Sequence, residues 1–326
     1  MTTLHAHFDR PLAGDEAAIL RPSLAPGIVV TEGGDPPAEI DILISGRPTR
    51  EQLAAAPGLR ALIIPWAGLP EDARDLMRDF PGISVHNLHH NAAPVAELAL
   101  MLLLAAAKFA LRYDNALRRN DWRIRYERPA PTVLLDGKTA LILGHGAIGR
   151  RVAAGCRALG MATLATRRRL AAPERDGETE VYPAVALPDL LPRADAVIIC
   201  LPHTPETDGL LGAAELARLP EGAVLVNIGR GPIVDERALY EALRDGRLRA
   251  AGLDVWYSYP PDESARAAWP PSAYPFHELD NVIMSPHRGG AADETARLRM
   301  TALAAMLNEA SEGRDIPNKV DIDAGY

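Results

Sequence analysis

Short apolar runs alternate along this chain with longer stretches in which apolar residues recur at helical spacing. Between residues 28 and 93 the apolar runs are IVVTE, IDILISG, LRALIIP and GISVHN, and the helical stretches include TREQLAAA and PEDARDLMRDF. Such runs indicate buried strands, and helices between successive strands are typical of parallel sheets with helices on their faces. The pattern therefore predicts an α/β fold in the first third of the chain.

A second series of predicted strands follows, with helical patterns between most of its members: TALILG, MATLAT, DAVIICLP, GAVLVNIG, AAGLDVW and NVIMSP. We therefore expect two α/β units, joined near a long helix that starts around Pro94. The apolar run from Leu98 to Ala107 in that helix is far shorter than the roughly 20 residues that span a bilayer, so we interpret it as buried in the protein. An amphipathic helix near the C-terminus is predicted to end at Gly313.

Composition narrows the classes of function. The 326 residues include 48% hydrophobic side chains, and 35 basic against 43 acidic residues give a net charge of −8. This balance offers no general attraction for nucleic acid or an anionic membrane, so a small anionic substrate would need a local positive pocket. Cys156 and Cys200 lie in apolar runs, and the N-terminus lacks the pattern of a signal peptide, so we expect a cytoplasmic protein with buried thiols. No metal site is predicted.

A glycine-rich turn follows the predicted strand TALIL. Gly144, Gly146 and Gly149 form GxGxxG, with Ala147 and Ile148 between the last two glycines. In the order strand, turn, helix, strand, such glycines allow a pyrophosphate to approach backbone amides at a helix N-terminus. We expect a dinucleotide to bind there.

The end of the next predicted strand bears on which dinucleotide is bound. Enzymes that use NAD place an Asp or Glu there, whereas this chain has Thr166, Arg167, Arg168 and Arg169. A guanidinium can form paired, charge-assisted bonds to a 2′-phosphate. NADP(H) is therefore favoured. NAD(H) remains possible if the arginines form only a solvated loop.

Five motifs in a fixed order identify a family. They are LDGKTALILGHGAIGRRVA, CLPHTPETDGLL (200–211), VNIGRGPIVDERALYEAL (226–243), GLDVW (252–256) and SPHRGG (285–290). Together they closely resemble the D-isomer-specific 2-hydroxyacid dehydrogenases, which include phosphoglycerate and D-lactate dehydrogenases and glyoxylate and hydroxypyruvate reductases, with formate and phosphite dehydrogenases more distant. The resemblance extends from about residue 40 to residue 315.

This resemblance implies two Rossmann-like domains, each a doubly wound parallel sheet, with the cofactor domain inserted into a flavodoxin-like substrate domain. Residues 94–288 would form the cofactor domain. Residues 1–93 and the C-terminal helix region 289–326 would form the substrate domain. The resemblance also implies a substrate cleft between the domains and a homodimer.

Reduction of a 2-oxo acid needs a cation for the carboxylate and carbonyl and a proton donor near the oxygen. Arg230 matches the family arginine that binds these groups, and its fork suits that geometry. His287 matches the family acid/base, which exchanges the proton. The alternatives are a surface salt bridge for Arg230 and a structural role for His287.

The resemblance also points to residues near the cofactor. Asp254 would lie near the nicotinamide, although it could equally satisfy local amides at a strand end. His203 stands where the family more often has Leu, and it could be only an exposed substitution. The remaining cofactor-binding candidates are Leu201, Pro202, Thr207, Asn227, Ile228, Gly229 and Gly289, together with His287.

Candidate substrate residues lie in the first predicted unit. IIPWAGLPED resembles the loop whose backbone amides receive the substrate carboxylate, with Ala67, Gly68 and Leu69 as candidates. Trp66 would shape that pocket or pack in the core. Asn91 matches the position at which formate dehydrogenases hold their substrate, although an Asn capping the following helix is an equal alternative.

The chain departs from the family at the third catalytic position. The family has a Glu there, just before a Pro, and the aligned residue in GLDVWYSYPPDE is Tyr259. A phenol brings no charge to stabilise an imidazolium at neutral pH, so we expect His287 to titrate nearer about 6.5 than in relatives with Glu, with activity shifted to lower pH. Asp262 or Glu263, in the long Pro-rich loop 257–280, could instead supply the carboxylate.

The leading hypothesis is an NADP(H)-preferring oxidoreductase of a small 2-hydroxy or 2-oxo acid such as glyoxylate or hydroxypyruvate. A dehydrogenase of an unusual acid, phosphite or formate, is one alternative. A dinucleotide-sensing binding protein on the same fold is another, since the missing Glu argues weakly for it.

Overall fold

The computed structural model describes residues 3–127 and 132–325. The chain divides into two compact units. The first unit comprises the chain up to Asn91 and the chain from Ala291 onward, and the second comprises Ala92–Gly290. Each unit has its own sheet, and the predicted α/β class with parallel sheets is confirmed.

The first unit contains a five-stranded parallel sheet with the order β2-β1-β3-β4-β5. Its strands are β1 (Leu4–Phe8), β2 (Ile28–Glu32), β3 (Ile42–Ile44), β4 (Ala61–Ile64) and β5 (Ser84–Asn87). Its N-terminal helices are α1 (Gly14–Leu20), α2 (Arg50–Ala54) and α3 (Glu71–Met77). The four strands predicted between residues 28 and 93 are therefore present.

The second unit contains an eight-stranded sheet with the order β13-β12-β11-β10-β6-β7-β9-β8. Its strands are β6 (Thr139–Leu143), β7 (Ala162–Arg167), β8 (Glu174–Asp176), β9 (Thr179–Pro183), β10 (Ala196–Ile199), β11 (Ala223–Asn227), β12 (Leu248–Leu253) and β13 (Val282–Met284). Its helices are α4 (Ala92–Ala107), α5 (Ala110–Arg118), α6 (Arg123–Tyr126), α7 (Ala147–Ala158), α8 (Leu187–Leu190), α9 (Ala213–Arg218) and α10 (Glu236–Arg244). The sheet is parallel except for the edge strand β8, which pairs antiparallel with β9.

The last helix, α11 (Thr295–Ser311), belongs to the first unit. Its buried face, including Met300, Leu303 and Leu307, lies in one apolar cluster with Phe8 of β1. The helix is followed by Gly313 in a left-handed conformation with φ 73°, as expected at a helix C-terminus. Helix α11 therefore covers one side of the apolar core of the first unit.

Helix α4 is the long apolar helix expected near Pro94. Leu102, Leu103 and Ala106 are buried in a cluster with strands of the second sheet. A Cβ on Gly252 of β12 would lie 2.7 Å from the Leu102 Cβ, so this glycine permits close packing of helix on sheet. The interpretation of residues 98–107 as a buried helix is therefore confirmed.

In the described part of the chain, no single helix has the length and apolar composition of a membrane span. Only the bent pair α4 and α5, at 67°, meets that test when its two helices are taken together. Both cysteines are free. Cys156 is buried, and burial raises the pKa of its thiol to about 12, whereas Cys200 is half-buried.

Candidate active site

The glycine-rich turn lies at the carboxyl end of β6, as the sequence predicts. Gly144 has φ 98°, a left-handed conformation that favours glycine. Helix α7 starts at Ala147, with Ile148 also in its first turn. A Cβ on Gly149 would lie 2.0 Å from the Gly144 carbonyl oxygen, so these two glycines are required by the backbone itself.

Gly146 differs from the other two glycines because a Cβ there would meet no described atom within 4 Å. This open space lies at the N-terminus of the 12-residue helix α7, where backbone N–H groups and the helix dipole favour an anion. A phosphate of a dinucleotide fits that cradle, and a side chain at residue 146 would reduce the space for it.

Arg167, at the end of β7, is not isolated. Its guanidinium lies 3.4 Å from the Glu174 carboxylate on β8, and both side chains are 45% exposed. Thr166 is buried, and its carbonyl accepts a hydrogen bond from the His145 backbone amide. Arg168 lies near Glu206. The pKa of the Glu206 carboxyl is lowered by a hydrogen bond with the Thr204 side chain and by one with its own backbone, and the charge of Arg168 adds to the shift. Carboxylates thus accompany both arginines.

His145 lies between the first two glycines of the turn, and its contact with Asp176 was not predicted from the sequence. Its buried ring places Nε2 2.9 Å from the Asp176 carboxylate, which also lies 3.5 Å from Arg150 of α7. Burial lowers the pKa of His145 although Asp176 opposes the shift. The β8–β9 hairpin is thereby attached to the glycine-rich turn.

The loop after β10 contains the candidates Leu201, Pro202, His203 and Thr207. The Thr207 hydroxyl donates to the Pro202 carbonyl and lies 2.8 Å from it. His203 is exposed, with Nε2 2.8 Å from the Asp208 carboxylate. Thr207 therefore shapes this loop, and His203 lies at its surface.

Asn227, at the end of β11, organises the turn that carries Arg230. Its side-chain amide donates to the Arg230 carbonyl at 2.9 Å and accepts from the Gly229 amide at 3.0 Å. Ile228 is buried beside it. A Cβ at position 229 would lie 2.5 Å from the Leu201 carbonyl oxygen, so the backbone there requires glycine. The Arg230 residue is exposed at the strand end.

Asp254, directly after β12, fixes the turn that carries His287. The buried carboxylate accepts hydrogen bonds from the Ser285 hydroxyl and from the Arg288 and Gly289 amides. These contacts match the alternative in which Asp254 satisfies local amides. They also hold His287 in a left-handed conformation with φ 57°, a cost that the surrounding bonds must offset.

Tyr259 contacts His287 directly. The phenolic oxygen lies 3.0 Å from His287 Nδ1 and accepts a hydrogen bond from the Trp256 amide at 3.1 Å. Burial and the nearby Arg230 lower the pKa of His287, while Asp254 opposes the shift. Tyr259 and His287 are therefore in direct contact in the second unit, and the charge of Arg230, which follows β11, acts on both rings.

The loop carboxylates do not take the place of the family Glu. Asp262 accepts hydrogen bonds from the Ser264 hydroxyl and the Ala265 amide, and Glu263 pairs with Arg266. The loop is fastened near Tyr259, because the Trp269 indole donates to the Ser258 hydroxyl at 2.7 Å. Tyr259 is thus the residue that contacts the imidazole.

The substrate candidates of the first unit lie around the carboxyl ends of β4 and β5. The Asn87 side chain donates to the Ala67 carbonyl at 2.7 Å, which fixes the loop that includes Gly68 and Leu69. The Trp66 ring packs on Gly46, where a Cβ would lie 1.7 Å from it, and is 39% exposed. The structure therefore favours the loop surface over the core for Trp66.

Asn91 does not cap helix α4. Its buried Oδ1 accepts no hydrogen bond from any residue described here. The third residue of the helix is Pro94, which has no N–H to donate. A substrate role for Asn91, and the roles of Ala67, Gly68 and Leu69, remain predictions.

A glycine-rich phosphate cradle at one strand end, together with Arg and His after other parallel strands of the same sheet, defines a dinucleotide-binding protein of the Rossmann class. Residues 100–289 match the family described as "D-isomer specific 2-hydroxyacid dehydrogenase, NAD binding domain". The chain belongs to this family of oxidoreductases.

The most similar proteins include enzymes with different substrates in their names. The chain is 35% identical over 275 residues to D-3-phosphoglycerate dehydrogenase of Mycobacterium leprae (strain TN), covering 84% of this chain and 49% of the relative. It is 33% identical over 264 residues to hydroxypyruvate reductase of Thermotoga maritima, covering 79% and 81%. The chain spans about half the length of the curated phosphoglycerate dehydrogenases that it matches.

A solved structure extends the likeness to the whole chain. The D-isomer specific 2-hydroxyacid dehydrogenase from Xanthobacter autotrophicus Py2, in complex with NADPH and MES, has a TM-score of 0.79 and 25% identity, with 100% of both chains covered.

Proposed function

We propose that this protein is an NADP(H)-preferring reductase of a small 2-oxo acid such as glyoxylate or hydroxypyruvate. The observation that carries the proposal is the assembly of Arg230, His287 and Tyr259 in the same unit as the phosphate cradle. When bound, the nicotinamide would supply the hydride that reaches C2 of the acid.

The side chains of the second unit divide the remaining work. Arg230 presents a guanidinium fork that suits a carboxylate and an adjacent carbonyl oxygen, where negative charge develops. His287 exchanges the proton at that oxygen. Asn227 and Asp254 have a positioning role, because their hydrogen bonds fix the two turns from which Arg230 and His287 project.

Two observations support a preference for NADP(H). Arg167 and Arg168 stand where a carboxylate would bind the ribose hydroxyls of NAD, and a relative of matching fold is named as an NADPH complex. The Arg167–Glu174 pair is exposed, and such pairs contribute only about 0–1 kcal/mol, so a 2′-phosphate could compete with Glu174 for the guanidinium.

Replacing Glu174 by Gln is expected to strengthen NADPH binding by about 1.4- to fivefold, because the competing carboxylate is removed and an exposed pair is worth roughly 0.2–1 kcal/mol. Titration calorimetry with NADPH and NADH measures the effect. Glu178→Gln, on the same hairpin and 87% exposed at the side chain, is the control. An equal gain for NADH would contradict a 2′-phosphate site at Arg167.

The function is tested by following the loss of reduced-nicotinamide absorbance with glyoxylate, hydroxypyruvate, pyruvate and phenylpyruvate, using NADPH and NADH in parallel. Turnover of at least one acid, faster with NADPH at limiting concentration, is the expected result. Cofactor binding without turnover of any acid would contradict the proposed reductase activity. It would favour the alternatives, a phosphite or formate dehydrogenase or a dinucleotide-sensing protein.

We also propose a homodimer built on the outer side of α4, α5 and α6. Large apolar side chains are exposed along this stretch, which favours burial against another protein surface. They are Met101, Leu104, Leu111, Leu117, Trp122 and Tyr126.

The double variant Trp122→Glu with Tyr126→Glu is expected to halve the mass measured by light scattering, because two charges would enter the apolar contact. Val185→Glu, at a position 85% exposed elsewhere in the second unit, should leave the mass unchanged. A monomeric wild type would refute the proposal.

A further inference from the structure

We propose that Tyr259 donates its phenolic proton to Nδ1 of His287, and that the phenol thereby serves as the proton source for reduction, acting through the imidazole. This inference rests on the reductase proposed above. It assigns Tyr259 a task different from that of the family carboxylate, which can only accept a hydrogen bond when ionised.

The Trp256 amide favours this direction of the hydrogen bond. That N–H is a donor only, and it points at the phenolic oxygen at 3.1 Å. A phenol that accepts there has one proton left, and Nδ1 of His287 lies 3.0 Å from the same oxygen. Donation of this proton to Nδ1 gives the Trp256 amide, the Tyr259 hydroxyl and Nδ1 a hydrogen-bond partner each. It requires the imidazole to carry its own proton on Nε2.

The charged groups around the ring favour a neutral imidazole. Arg230 approaches from the end of β11 and opposes a second positive charge, as does burial, so the pKa of His287 is lowered. Asp254, from the end of β12, directs its carboxylate to Ser285 and to the amides of Arg288 and Gly289. It raises the pKa of His287 only from a distance. Tyr259 is the neutral partner.

The proton balance is then complete without an imidazolium. As C2 receives the hydride, the carbonyl oxygen takes the proton from Nε2, and Nδ1 takes the proton from the Tyr259 hydroxyl. A phenolate remains. The Trp256 amide and the charge of Arg230 stabilise it, and they oppose the rise in the pKa of Tyr259 that burial and the nearby Asp254 cause. Because Tyr259 is 47% exposed, water can return the proton.

This relay predicts a pH profile opposite to the acid-shifted one expected from the sequence. An imidazolium donor with a lowered pKa would make reduction fall about tenfold per pH unit through the neutral range. With the phenol as proton source, kcat should stay level until Tyr259 itself ionises, above about pH 10.

The first experiment reads the tautomer without any substrate. Long-range ¹H–¹⁵N correlation spectra of protein labelled at histidine nitrogen, assigned with His287→Asn, should show the proton on Nε2 between pH 7 and 8. In Tyr259→Glu the proton should move to Nδ1, and the ring should titrate at higher pH than in the wild type. A wild-type ring protonated on Nδ1 would overturn the proposal.

The second experiment measures kcat for reduction between pH 6 and 10. Tyr259→Phe should lose about 100-fold at pH 8 and fall tenfold per pH unit, whereas Tyr259→Glu should restore much of the rate at pH 6. Tyr257→Phe, whose hydroxyl donates to the Val234 carbonyl, is the matched control and should keep the level profile. A wild-type profile that falls like that of Tyr259→Phe would exclude the relay.

The two experiments separate the possible failures. If no 2-oxo acid is turned over although the proton lies on Nε2, the reductase is wrong and the relay is rejected with it. If acids are turned over but the proton lies on Nδ1, the reductase stands and the relay alone is rejected.

Discussion

Replacing His287 by Asn is expected to lower kcat/KM for 2-oxo acid reduction by about 10²- to 10⁴-fold, the usual contribution of a general acid or base. Asn is chosen because His287 has φ 57°, and Asn tolerates this left-handed conformation better than most residues. The turn held by Asp254 should therefore survive. The amide cannot pass a proton between the carbonyl oxygen and Tyr259.

Steady-state kinetics with NADPH measure this loss, and calorimetry of NADPH binding separates it from a cofactor defect. The affinity for NADPH should change by less than a few-fold, because the phosphate cradle lies at Gly144, Gly146 and Gly149. His277→Asn, at an exposed histidine of the same unit, is the control and should keep full activity. A His287→Asn variant with wild-type kcat/KM would exclude His287 as the proton-transfer group.

The strands that could be predicted are those that consist of consecutive apolar residues. Segments such as ALII of β4 and AVII of β10 are buried throughout and stand out in the sequence. Strand β1 was missed, because His5 and His7 interrupt LHAHF, although His7 is buried with Nδ1 2.9 Å from the Thr31 hydroxyl. A polar side chain that finds its partner on a neighbouring strand gives no local signal.

The β8–β9 hairpin was missed for a related reason. Its residues are largely polar, and β8 is an edge strand paired on one side. The consequence for the site is large, because Glu174 and Asp176 reach Arg167 and His145 from this hairpin. The sequence shows the arginines without their counter-charges, since the register of an edge strand is set by pairing and not by local composition.

The sequence could predict which residues are candidates for catalysis, but not which hydrogen bonds they form. Ordered motifs pointed to Arg230 and His287, and alignment pointed to Tyr259. The choice among Tyr259, Asp262 and Glu263 needed the folded loop, in which Trp269 fastens Ser258 and the two carboxylates bond locally. Spacing along the chain could not distinguish three polar residues within five positions.

The glycines of the phosphate cradle allow fold and cofactor binding to be separated by two substitutions of the same size. Gly149→Ala is expected to destabilise the protein, because its Cβ would lie 2.0 Å from the Gly144 carbonyl oxygen. Overpacking against backbone costs about 3 kcal/mol, which for a unit of this size lowers Tm by roughly 6–12 °C. Gly146→Ala should leave Tm of the free protein unchanged, because its Cβ would meet no described atom within 4 Å.

The response to NADPH distinguishes the two variants in the opposite way. Gly146→Ala should lose most of the rise in Tm that NADPH gives the wild type, since its methyl group would occupy the space for the phosphate at the start of α7. A tenfold weaker affinity corresponds to about 1.4 kcal/mol of lost stabilisation. Scanning calorimetry with and without NADPH measures both effects. If Gly146→Ala kept the full NADPH shift, the open space beside residue 146 would not be where the phosphate binds, and the cradle would have to be sought elsewhere along the strand ends.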